Sequence, residues 1–182
     1  RYCSHICQAL TEAGVTVRVI ALVDDFSAAK ELHSQFTGIS FQLCSGSRSR
    51  FIQCVIQSIL TERPRIIFAG HVNFAFLAYS FARIINAKLV TFIYGVDVFE
   101  PLSMLRRYAL HQSNSVISIS QFTAQQSIEV NGVTPDQIHI LNNCLDPQFA
   151  ELCQKKLCCN ESRTQKLSLL TVARMSRAER YK

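Results

Sequence analysis

The chain alternates between short, almost continuously apolar runs and longer stretches with helical spacing. Val15 to Val23 (VTVRVIALV) is rich in β-branched residues and nearly free of polar positions. That pattern suits a strand buried on both faces, as in a parallel sheet. Similar runs recur at Ile39 to Leu43, Arg65 to Ala69, Lys88 to Ile93, Ser115 to Ile119, Gln137 to Leu141 and Leu167 to Ala173. Helical patterns lie between them. Tyr2 to Ala13 stops at Gly14, a residue suited to a helix C-terminus. Ser27 to Phe36 is a weaker helix, and Ser49 to Thr61 ends before Pro64. Val72 to Asn86 is strongly apolar and is expected to pack on a sheet. Pro101 to Gln112 is expected to start with Pro in its first turn, where the missing N–H costs nothing. Ser120 to Val130 has Ser at the N-cap and Gly132 just beyond its end.

Alternating strands and helices predict an α/β domain: a Rossmann-like parallel sheet with helices on both faces and right-handed crossovers. Ligands of such sheets bind beyond the carboxyl ends of the strands. That rule directs attention to Ala69-Gly70-His71, to Tyr94-Gly95-Val96-Asp97 and to Ser118 to Gln121. Lys155 to Lys166 (KKLCCNESRTQK) is polar and lacks glycine. It reads as a linker before a new strand. The expected organisation is therefore a first domain over 1–152, a linker over 153–166 and the opening strand of a second Rossmann-like domain over 167–182.

Composition narrows the classes. The 182 residues are 48% apolar and 18% charged, with six Gly and four Pro. That is enough apolar mass for a core, and it excludes disordered and collagen-like chains. The segment Val72 to Ala82 is interrupted by Asn73 and Ser80 and falls short of the roughly 20 apolar residues a spanning helix needs. The formal net charge of +6 is dispersed. Without a dense basic block interleaved with aromatics, nucleic acid is not an expected partner. Anionic small molecules or an anionic membrane surface fit diffuse positive charge better.

The eight cysteines are spaced unlike a disulfide framework. Cys3 and Cys7 are four apart and share a helix face as small apolar residues. They read as reduced thiols of a cytoplasmic protein. A metal site built from Cys153, Cys158 and Cys159 with His139 or Cys144 is the alternative, but no Cys-x-x-Cys pair supports it. No metal and no cofactor are expected.

Several chemistries lose their main support. The glycine positions allow neither Gly-x-Gly-x-x-Gly nor a P-loop. Gly-x-Ser-x-Gly and His-Glu-x-x-His are also absent. What remains is an ordered set of segments: Tyr94-Gly95-Val96-Asp97 after one strand, Ile119-Ser120-Gln121-Phe122-Thr123 after the next, then Ile138 to Pro147, then Leu170-Thr171-Val172-Ala173-Arg174-Met175-Ser176 with Glu179-Arg180-Tyr181-Lys182. Their order and spacing resemble family 4 glycosyltransferases of the GT-B fold, across nearly the whole chain and most specifically from Val90 to Lys182.

The resemblance implies a retaining transferase that moves a sugar from a nucleotide-sugar donor to a glycan or lipid-linked acceptor without a metal. Cytoplasmic placement at the inner face of the membrane goes with it. The N-terminal domain would hold mainly acceptor, and the C-terminal domain donor. It also implies a first strand and glycine-rich loop preceding Arg1, and a second domain cut off at Lys182. Such a fragment alone would be inactive. Arg174 and Lys182 fall on the family's diphosphate-neutralising pair. Fixed cations there lower the barrier as charge grows on the leaving phosphate; otherwise both are solvated charges. Tyr94 replaces the family's His, and tyrosine cannot take a proton near neutral pH as histidine can. Asp97 matches the family's acidic position but also suits a turn cap. His71 faces the cleft or caps a helix start. Ser120 is an N-cap whose helix terminus could also bind an anion. Asn143 keeps the family's Asn, flanked by Asn142 and Cys144. A non-catalytic α/β nucleotide- or glycan-binding domain descended from such an enzyme is the alternative function.

Overall fold

A computed structural model describes residues 2–24 and 38–143. The chain divides into two units, 1–144 and 145–182, and the described residues all belong to the first. The expected helix Ser27 to Phe36, the linker and the strand Leu167 to Ala173 lie outside the described residues.

The elements follow the predicted order. They are α1 (Tyr2–Glu12), β1 (Val17–Ala21), β2 (Ile39–Leu43), α2 (Arg48–Glu62), β3 (Ile66–Ala69), α3 (Ala75–Ile85), β4 (Lys88–Ile93), α4 (Met104–His111), β5 (Ser115–Ser118), α5 (Gln121–Asn131) and β6 (Ile138–Ile140). Short 3-10 turns at Val72–Phe74 and Pro135–Gln137 precede α3 and β6. Every strand pair is parallel. The order β3-β4-β5-β6 makes a four-stranded sheet, and β1-β2 a separate two-stranded one. Crossover helices cover the faces, giving the α/β architecture that the alternating pattern predicts.

Local chemistry explains the boundaries. Gly14 and Gly132 take left-handed backbone (φ +80° and +69°) after α1 and α5, where a Cβ would clash with the following carbonyl. Asn86 closes α3 in the same way, with its N–H donating to the Ala82 carbonyl. One boundary differs from expectation. Helix α4 starts at Met104, not at Pro101, since Ser103 has non-helical backbone (φ −56°, ψ 149°); just before it, the Leu102 N–H donates to the buried Asn131 Oδ1 at 2.8 Å.

The core lies in the larger sheet. Ile93, Val98, Leu110, Val116 and Val133 form one buried cluster, with Phe99, Leu102 and Ile138 against it. Ala69, Ala82 and Leu89 seat α3 on β3 and β4. Val72, Ala75 and Ala109 join α3 to α4. Small residues at these helix positions allow close approach. Two buried hydroxyls are paired between elements: those of Thr91 and Ser113 meet at 2.8 Å, and Ser113 also donates to the Ala109 carbonyl.

Candidate functional site at the carboxyl edge

Parallel strands bring all their carboxyl ends to one edge. Three of those ends, on β3, β4 and β5, carry side chains singled out above.

Beyond β3, Gly70 leads into His71. The imidazole Nδ1 accepts from the Asn73 N–H at 3.1 Å, capping the turn that opens toward α3. An accepting Nδ1 leaves the proton of the neutral ring on Nε2. The ring also lies 6.2 Å from that of Tyr94. His71 is thus a cap, as one expectation had it, and a neighbour of Tyr94.

Beyond β4, the chain makes a tight loop. Both carboxylate oxygens of Asp97 accept from the Tyr94 N–H, at 3.1 and 3.2 Å, and the Val98 N–H donates to the Gly95 carbonyl at 2.9 Å. Asp97 therefore closes the turn, as an acid three residues on can. Gly95 sits at φ +130°, a region that side-chain-bearing residues rarely adopt. Tyr94 stacks on Phe92 (6.5 Å, 14°), and its hydroxyl lies 2.8 Å from Cys3 Sγ. Helix α1 also packs on β1 and β2, so Cys3 links the two sheets at this edge.

Beyond β5, Ser120 caps α5: its Oγ accepts from the Thr123 N–H at 3.1 Å and donates to Thr123 Oγ1 at 3.0 Å. The buried Ser118 hydroxyl donates to the Ser120 carbonyl at 2.8 Å, fixing the cap's approach. A Cβ on Gly95 would lie 3.8 Å from Thr123 Oγ1, so the Tyr94–Asp97 loop abuts the first turn of α5. Phe99 and Phe122 reinforce the junction edge to face at 5.5 Å. The edge therefore brings His71, Tyr94, Asp97 and Ser120 together. Asn143 follows β6 and is exposed. Arg174 and Lys182 lie outside the described residues.

Two supporting residues escape sequence reading. Cys3 was a plain helix-face residue there, and only folding brings it to Tyr94, 91 positions away. Asn131 is fully buried; its Nδ2 donates to the Val98 carbonyl at 2.8 Å and its Oδ1 accepts from Leu102. It pins the segment that follows the site loop. An Asn one residue before Gly132 carries no signal of that role beyond an ordinary helix end.

The remaining chemistry is modest. Cys3, Cys7, Cys44 and Cys54 are free thiols. Burial, and then the Cys3 thiol, push the Cys7 thiol up. Among the described residues, no three His, Cys, Asp or Glu side chains converge as a metal site requires. The metal alternative rests on cysteines outside the described residues. No described helix is long and apolar enough to cross a membrane.

With this geometry in view, comparisons place the chain. The family model Glycosyltransferase Family 4 matches residues 1–149. No curated protein matches. Among solved structures, the chain is similar to a glycosyltransferase from Rickettsia africae ESF-5, with 19% identity and TM-score 0.59 over 86% of this chain and 45% of that one. It is also similar to Anabaena HepE in complex with UDP, with 14% identity and TM-score 0.56 over 86% of this chain and 46% of that one. A second HepE structure, in complex with UDP and glucose, matches at 16% identity and TM-score 0.56 over 85% and 46%. At these identities the likeness is one of fold. The chain spans about half the length of these structures.

Proposed function

The chain belongs to glycosyltransferase family 4, and on that premise we propose that it is the acceptor-side part of a retaining sugar transferase. The donor is a nucleotide sugar, and the acceptor a glycan or lipid-linked glycan. The reading is carried by the meeting of His71, Tyr94, Asp97 and the Ser120-capped terminus of α5 at one sheet edge, where open parallel sheets bind ligands. That one neighbour of the same fold is described in complex with UDP and with glucose supports this donor chemistry.

In this mechanism an acceptor hydroxyl forms a bond to the anomeric carbon while the bond from that carbon to the donor phosphate breaks. The electron pair leaves with the diphosphate, whose charge Arg174 and Lys182 offset. The sugar passes through an oxocarbenium-like state. No metal or cofactor takes part. Tyr94 donates or accepts a hydrogen bond at the sugar and moves no proton at neutral pH. Asp97 shapes the loop that presents it.

A second reading, a non-catalytic glycan- or nucleotide-binding domain, is favoured by one observation. The Tyr94 hydroxyl and the Asp97 carboxylate are both engaged in local bonds. Calorimetry of the complete transferase, donor domain included, with UDP-, GDP- and ADP-sugars tests the premise of donor use. Binding of one class is expected, and no heat with any of them would sink it. Turnover then separates the two readings. Tyr94→Ala should lower turnover about tenfold or more if the hydroxyl contacts sugar in the transition state. A protein that binds donor and never turns it over supports the binding domain.

A further inference from the structure

Helix α1 meets the candidate site from the side of the smaller sheet. Cys3, in its first turn, is half-buried and reaches the exits of two strands of the larger sheet. Its Sγ lies 2.8 Å from the Tyr94 hydroxyl, beyond β4. A Cβ on Gly70, beyond β3, would lie 3.8 Å from the same sulfur. Tyr94 is also held elsewhere. Its N–H donates to Asp97, its ring stacks on that of Phe92, and the His71 ring lies 6.2 Å away. Those restraints come from the four-stranded sheet and its loops, and they act on the backbone and the ring. A stacked ring can still slide in its own plane, whereas a hydrogen bond at the phenol oxygen is directional. The bond with Cys3 acts on that oxygen, at the tip of the side chain.

We propose that Cys3 is a positioning residue for Tyr94: its thiol sets where the phenol oxygen points, and so how that oxygen meets the sugar. The role rests on the reading of Tyr94 as the group that hydrogen-bonds the transferring sugar. Cys3 itself touches no substrate and moves no proton. A phenol oxygen offers one donor and two acceptor positions, and a thiol takes one of them. Sulfur is a weak acceptor and S–H a weak donor, so the contact orients the hydroxyl without competing strongly against a sugar. Engagement of the Tyr94 hydroxyl is then compatible with transfer. Orientation matters because rate depends steeply on the geometry in which reacting groups are held. The same bond gives α1, which packs on β1 and β2, a direct hold on a site side chain of the larger sheet.

Two measurements on the complete transferase test this. With 3-fluorotyrosine incorporated, the fluorine resonance of Tyr94 is identified by its loss in Tyr94→Phe. Cys3→Ala should shift that resonance, and Cys3→Ser, which keeps a hydrogen-bonding atom on Cβ, should return it toward its original position. Cys7→Ala, one turn along the same helix face, should leave it unmoved. Circular dichroism should be the same for all these variants. Release of nucleoside diphosphate from UDP-, GDP- and ADP-glucose, with water as acceptor, then reads turnover. Cys3→Ala should lower kcat about fivefold, the loss expected for one hydrogen bond, while KM for the donor stays the same. Cys3→Ser should recover most of that loss. A Tyr94 resonance that Cys3→Ala leaves in place, an equal shift in Cys7→Ala, or a loss confined to KM would each overturn the proposal. Absence of both donor heat and turnover would sink the transferase reading instead, and the resonance would still decide whether Cys3 holds Tyr94.

Discussion

The two sheets of this molecule are held together by different means. Around β3–β6, three buried clusters interlock, and every one draws its residues from the stretch between Ile67 and Ile138. Around β1–β2, the buried apolar residues among those described are Ile39, Leu43, Cys44 and Ile59, and no residue of β1 is fully buried. Its marked cross-element link is polar, an ion pair of Arg18 with Glu62 at the surface, supplemented by a long Arg18–Ser58 bond of 3.4 Å. Three of the four gathered site residues and their pinning Asn131 stand on the densely packed side, and His71 follows its edge strand. A loop can hold tyrosine and serine in a set geometry only when the strands beneath it do not shift. Close packing supplies that rigidity, and a screened surface pair does not.

The contrast can be broken by measurement. Leu110→Ala removes a fully buried side chain from the main cluster and should cost about 3 kcal/mol in urea unfolding, within the range for such cavities. Ile20→Ala, at a partly exposed site on β1, should cost less than half of that. Equal losses would erase the difference between the halves. Asn131→Ala strips the Leu102 N–H and the Val98 carbonyl of their partner and should cost about 2 kcal/mol. Amide exchange at Leu102 should quicken at the same time, and a protected Leu102 amide would deny Asn131 its pinning role. Arg18→Ala should cost no more than about 1 kcal/mol, since its partner is well solvated. A loss exceeding that of Asn131→Ala would reverse the ranking and make the polar link the stronger one.

Much of the fold was legible in the residues. All six described strands fall on predicted apolar runs, but the expected burial on both faces is not met by β1, β3 and β6, which are only partly covered. Gly14, Ser120 and Gly132 mark helix ends by chemistry that acts within a few residues. Asp97 was equally legible as a turn acid, since its bond reaches only three residues back. The tether of Leu102 to Asn131 was not legible, because the two are 29 positions apart. Nor was the engagement of Tyr94 by Cys3.

The sequence by itself therefore determined the order of the described elements, the caps and the edge to which the singled-out residues belong. Each of those follows from local sterics, local hydrogen bonds or the repeat of apolar positions. Tertiary structure alone decided which groups share that edge and which hydroxyl is already bonded. Those outcomes depend on pairs remote in the chain. The pairs meet only after burial of the core has fixed where each strand and helix must lie.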